Sequence, residues 1–229
     1  MNAATGASPP AALLRLFHLV SPALPVGAYA YSQGLEYAVQ AGWVPDEAAT
    51  LHWLRGLTQR AVGSLDLPVL LRLAQAWARP DERAAAHWNE RLLAARETQE
   101  LRAEDQQLGR ALLRILDGQG IEPAAALLAR PQSFASGFAL AGVRWGIAPP
   151  ELLGGYLWAW TENQVLAAIK LVPLGQSAGQ RLLAALLEEM PGVVTRALGM
   201  PDEEIGSSAV SQSIASALHE TQYTRLFRS

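Results

Sequence analysis

Tyr29, Tyr31, Ser32, Gln33 and Glu36 crowd two phenols, a hydroxyl, an amide and a carboxylate into eight residues, among no nucleophile–base pair or metal-ligand set. Such groups recognise and hydrogen-bond; they do not make a catalyst by themselves. The four histidines, His18, His52, His87 and His219, are scattered without ligand spacing, and the residue four beyond His219 is Tyr223, so His219-Glu220 is no zinc-helix motif. Cysteine is absent, which removes disulfides, thiolate metal sites and Cys–His catalysis. The single lysine, Lys170, follows no Gly-rich loop, so autonomous nucleotide hydrolysis is not expected. Glu188-Glu189 and Asp202-Glu203-Glu204 are consecutive acids that read as solvated surface rather than a spaced acid–base pair. A second polar cluster closes the chain: His219, Glu220, Thr221, Gln222, Tyr223, Arg225, Leu226, Phe227 and Arg228. Its aromatic and Arg groups are of the types that anchor interfaces.

Helices must position these groups. The chain has 229 residues, half of them hydrophobic and 17% charged, enough for one large core. Its formal net charge of −3 gives no electrostatic case for nucleic acid or an anionic membrane. Residues 1–10 read as a disordered arm without the features of a signal peptide, and a soluble, cytoplasmic protein is expected. Apolar residues recur at helical period over Leu13–Val20, from Pro45-Asp46 through Leu57, from Asp66 through Trp77, over 81–117, over Phe134–Trp145, Leu152–Leu171 and Leu182–Met190, and after Ser207-Ser208. The pattern predicts an all-α fold: a single globular bundle of about nine or ten helices, one domain over 11–229, with no period-two strands.

Within that frame Pro22, Pro25 and Gly27 form a rigid connector, Ser32 is a candidate N-cap for a helix carrying Leu35, Ala38 and Val39, and Gly42 a candidate C-cap. Asp66 is a candidate cap for the helix containing Pro68, and Ser207 or Ser208 for the last helix, with Val210, Ile214 and Leu218 inward. Arg96, Glu97, Glu100, Arg102, Glu104, Asp105, Arg110 and Arg114 read as a solvated charged face or a partner-facing one. Small residues at 135–142 predict a close helix neighbour. Lys170 shares a face with Asn163 and Ala167, and its ammonium either snorkels or pairs with an acid on a partner.

The loop Leu-Pro-Val-Gly-Ala-Tyr-Ala-Tyr-Ser-Gln-Gly-Leu-Glu at 24–36, followed by Ala-Gly-Trp-Val at 41–44, resembles the N-terminal signature of the urease accessory protein UreF family. The resemblance continues through Arg96–Arg102, Gly142–Trp145, Lys170–Gln176, Asp202–Ser208 and His219–Ser229. It implies a dimeric all-α protein that bridges the accessory protein UreD (UreH) to the GTPase UreG on apo-urease. That assembly supports nickel insertion and active-site carbamylation, with the GTPase modulated. It further implies a lining for a nickel path toward UreD, whereas the residues themselves offer no cofactor site, metal site or catalytic set. His219–Arg228 would face UreD, and Tyr29–Glu36 would lie near the GTPase-recruiting surface. A hydrogen bond between Tyr31 and the Arg225 guanidinium, and a contact role for Lys170, are further expectations. The rival classes are a helical-bundle enzyme using Arg144 or Arg225 on a small acidic substrate, and a helical transcription regulator, which the net charge disfavours.

Overall fold

A strongly apolar helical run becomes the middle of the molecule. In the computed structural model, which describes residues 10–79 and 81–229, α4 (Leu67–Ala78) buries nine of its residues, among them Leu70, Leu73 and Trp77. An all-round apolar helix of this kind must be enclosed, and α8 (Phe134–Arg144), α5 (Glu82–Ala94), α9 (Pro149–Leu171) and α10 (Gln176–Gly199) enclose it. The small residues of α8 allow the expected close approach. A Cβ at Gly137 would lie 3.1 Å from Leu112 of α6 (Gln99–Gly118), and one at Gly142 would collide with Leu152 of α9.

The described residues contain α-helices, short 3-10 turns and one π-helical stretch, and no strand. Eleven α-helical segments are present, of which α7 (Ala124–Leu127) is a single turn, in agreement with the expected all-α bundle. The remaining helices are α1 (Pro10–Leu19), α2 (Leu35–Gln40), α3 (Glu47–Leu57) and α11 (Val210–His219). The expected disordered arm falls on residues 1–9, outside the described residues, and Pro10 opens α1. Asp46 caps α3, its side chain accepting from Ala49 N–H at 2.9 Å. Gly42, at φ 76°, ends α2 in the left-handed region where glycine is favoured. Among the described residues no helix is long and apolar enough to cross a membrane.

Three expectations are corrected. Asp66 is not a cap: α3 runs through the π-helical Thr58–Asp66 straight into α4, so Asp66 has helical φ/ψ and its carboxylate turns to Arg96. Ser207 and Ser208 do not cap α11, whose N-cap position is Ala209; Ser208 donates to Glu97 instead. Val210, Ile214 and Leu218 face outward, exposed by 62%, 48% and 39%, while Gln212, Ala215, Ser216 and His219 face in. The physical reason is distance of approach. A Cβ at Gly34 would stand 2.8 Å from Ser216 N, so α11 meets α2 through its small and polar residues, not its bulky ones.

Candidate functional site

The left-handed Gly27 (φ 85°) starts a 3-10 turn over Ala28–Ala30, and Gln33 and Gly34, at φ 54° and 83°, turn the chain into α2. This double turn aims Tyr31, Ser32 and Gln33 inward and leaves Tyr29 70% exposed. Gly34 occupies the N-cap position of α2, yet the Ser32 hydroxyl still accepts from Glu36 N–H at 3.2 Å, satisfying a first-turn donor as a cap would.

Segment 219–229 folds onto this loop. Glu36 Oε1 accepts from Leu226 N–H at 2.6 Å and Oε2 from Phe227 N–H at 2.8 Å. The Ser229 main-chain oxygen accepts from both Ser32 N–H (2.9 Å) and Ser32 Oγ (2.5 Å). Arg228 N–H donates to Ala30 O at 2.8 Å. Fully buried His219 has Nε2 3.2 Å from Glu36 and Nδ1 2.7 Å from Glu100. Both nitrogens can donate at once only when the ring carries two protons. Glu100 also receives Arg225 at 2.7 Å, and Glu220 accepts from the Gln99 and Glu100 amides that open α6. Phe227 and Ser229 are buried; Thr221, Tyr223, Arg225, Leu226 and Arg228 are exposed and Gln222 is half-buried. Lys170, also exposed, places its ammonium 5.7 Å from the Phe227 ring centroid.

The expected Tyr31–Arg225 bond is not formed. The Tyr31 hydroxyl donates to Gln107 Oε1 at 2.6 Å, and Arg225 pairs with Glu100. A carboxylate outcompetes a phenol for a guanidinium because the bond is charge-assisted on both sides.

Residues absent from the sequence-derived set complete the cluster: Glu100, Glu104, Gln107, Trp160, Gln212 and Ser229. Gln33 donates to Glu104 at 2.7 Å and receives Trp160 Nε1–H at 2.9 Å. Glu104 also receives the Ser229 hydroxyl at 2.7 Å. A signal for Glu104 existed: it stands three residues after Leu101 and four before Leu108, on the apolar stripe of α6. The reading of residues 96–105 as a solvated face is therefore corrected for Arg96, Glu104 and Asp105. Arg96 grips Asp66 with two bonds (2.6 and 3.1 Å) and Asp105 with one of 2.8 Å, and Tyr156 donates to Asp66 at 3.1 Å. Burial opposes the charge of Arg96, but Asp105 and Asp66 outweigh it and hold its pKa well above the usual value. Burial, together with Asp66 and Asp105, pushes the Tyr156 phenol well up.

Burial also raises the Glu104 carboxyl to about 7, partly offset by the Gln33 and Ser229 hydrogen bonds. A raised folded pKa means that the native state binds more protons than the unfolded one, so stability falls as pH rises from about 4.5 to 7. Glu104→Gln is expected to remove that slope, which reaches about 1.4 kcal/mol per pH unit at its steepest. Urea midpoints of both proteins at pH 5 and 8 test this; parallel pH dependence would refute it.

Between the 21–33 loop, α6 and α9 lies a cavity of about 150 Å³ bordered by Tyr29, Trp160, Asn163 and Leu166, with the Arg96 network at its floor. Among the described residues no three His, Asp or Glu side chains are placed to hold a metal. What the arrangement does chemically is clasp a peptide: Glu36, Glu100 and Glu104 hold segment 219–229 against the loop.

Comparison with known proteins gives a consistent result. The family model described as UreF matches residues 44–187. The chain is 51% identical to the urease accessory protein UreF of Teredinibacter turnerae, over 95% of this chain and 98% of that one. It is 49% identical to the UreF of Alcanivorax borkumensis (95% and 98% covered) and 47% identical to that of Alkalilimnicola ehrlichii (98% and 99%).

Proposed function

The chain belongs to the UreF family of urease accessory proteins, and from that membership we propose that it is a non-enzymatic scaffold of urease maturation. In this reading it is a homodimer that bridges UreD and the GTPase UreG on apo-urease during nickel insertion, and it modulates the GTPase. It works in the cytoplasm, without nucleic acid or membrane. The observation that carries the reading is the surface built by α11 and the segment after it. Val210, Ile214, Leu218, Tyr223 and Leu226 all point to solvent, Tyr223 and Leu226 by 103% and 68%, while Glu36 holds the Leu226 backbone N–H, Glu100 the Arg225 side chain and Glu104 the Ser229 hydroxyl. Apolar groups held rigidly outward cost little entropy when a partner covers them.

This surface is assigned to UreD, with Lys170 at its edge beside Phe227, and exposed Tyr29 on the signature loop to the GTPase side. Size-exclusion chromatography with light scattering, on the protein alone and then with UreD and UreG, tests the assignment. Deletion of 219–229 is expected to abolish the complex. Ile214→Asp, at an exposed position, is expected to weaken UreD binding by about 2 kcal/mol or more, roughly 30-fold, with the circular dichroism unchanged. Full assembly by both variants would overturn it. Lys170→Ala with unchanged assembly would return that residue to a local role on Phe227.

A further inference from the structure

Away from the segment-clasping cluster, the outer face of α6 and the linker 128–132 enclose a cavity of about 260 Å³. Its existence depends on Gly109: a Cβ there would collide with the backbone of Gln132 and Ser133, so only glycine lets the linker lie this close to α6. The polar side chains that border the cavity are Gln106, Gln107, Arg110, Arg130 and Gln132, and no acid is among them. Arg110 and Arg130 are exposed, and neither has a carboxylate within ion-pair distance among the described residues.

Two of the bordering amides are oriented by bonds to their oxygens. Gln107 Oε1 accepts from the Tyr31 hydroxyl at 2.6 Å, and Gln132 Oε1 accepts from Ser136 Oγ at 2.9 Å. Each of these oxygens already accepts one bond, so Gln107 and Gln132 turn their N–H groups free beside two guanidinium forks, which are donors only and always charged, while Gln106 adds a donor and an acceptor. A pocket with two fixed positive charges, several N–H donors and no carboxylate favours an anion with several oxygens over a cation or an apolar guest. Two arginines within one concavity set the scale: a compact dianion, not a polymer.

We propose that this cavity is a binding site for a small free oxyanion of the phosphate class, held by Arg110 and Arg130 and oriented by the Gln107 and Gln132 amides. The site shares Tyr31 with the signature loop, so bound oxyanion and loop are connected through one side-chain bond.

The test follows the Arg side-chain ¹H–¹⁵N signals of the full-length protein during titration with sodium phosphate, against sodium chloride at matched ionic strength. Saturable shifts at Arg110 and Arg130 in phosphate only, with Kd near 1 mM, are expected. Arg110→Gln and Arg130→Gln should each weaken binding about fivefold or more, and the double variant should show no saturation. Both positions are exposed, so an unchanged thermal midpoint shows that the fold is intact. Tyr31→Phe leaves both charges but frees the Gln107 amide to turn, and should weaken phosphate about two- to threefold. Equal, unsaturating responses to phosphate and chloride, or undiminished binding by the double variant, would overturn the proposal.

Discussion

Glu36→Ala is expected to release segment 219–229 from the body of the protein while leaving the helical core folded. Glu36 is 7% exposed and accepts two backbone N–H groups, those of Leu226 and Phe227, besides contacting His219. Hydrogen bonds to a charged group contribute about 1.5–3 kcal/mol each, and donors left unpaired under cover cost a similar amount. Together the loss is about 3–5 kcal/mol, more than a frayed eleven-residue segment can absorb. The core is spared because α4 and α8 belong to a hydrophobic cluster that contains neither α2 nor Phe227. Amide hydrogen exchange reads the effect directly: protection at Phe227 should fall by about 10²–10³-fold, while α4 amides change little. Glu36→Gln keeps one acceptor oxygen and should fall between. Retained protection at Phe227 in Glu36→Ala would show that burial of the Phe227 ring, not the carboxylate, holds the segment. Release should also remove UreD binding, linking the clasp to the proposed assembly.

Arg96→Ala should act on the whole molecule. Its guanidinium is 17% exposed and neutralises Asp66 and Asp105, whose side chains are 7% and 6% exposed. Removing one partner of a buried charge set leaves the others uncompensated and costs about 3–5 kcal/mol. With a urea m-value of about 3 kcal/mol/M, the unfolding midpoint should drop by about 1–1.7 M. The deficit should shrink on acidification. Burial already holds the Asp105 carboxyl above its usual value, with Arg96 opposing, and without Arg96 that carboxyl takes a proton more readily. A raised folded pKa makes stability fall as pH rises, so the variant regains ground toward pH 4. Combining Arg96→Met with Asp66→Asn and Asp105→Asn should restore most of the loss, since no buried charge then remains. A midpoint shift under about 0.3 M for Arg96→Ala would mean that water reaches this network freely.

The sequence by itself determined the helical class and most of the punctuation. Apolar period over 67–77, 134–145 and 152–171, the helix opening at Pro45-Asp46 and the glycine at 42 all appear as read, because each depends on residues within four positions of one another. The signature loop and segment 219–229 were also recognisable as the two polar clusters of an apolar chain.

Which residues join them was decided only in the folded molecule. Glu36 meets Phe227 across 191 residues, Arg96 meets Asp66 across 30, and Glu104 meets Ser229 across 125. No local pattern states which carboxylate takes which donor, since that choice depends on burial and on the competing charges brought alongside. The inversion of α11 has the same origin: its hydrophobic period was correctly read as a helix, but the face turned inward is the one small enough to pass Gly34. Period defines a face; packing against α2 and α6 decides which way it points.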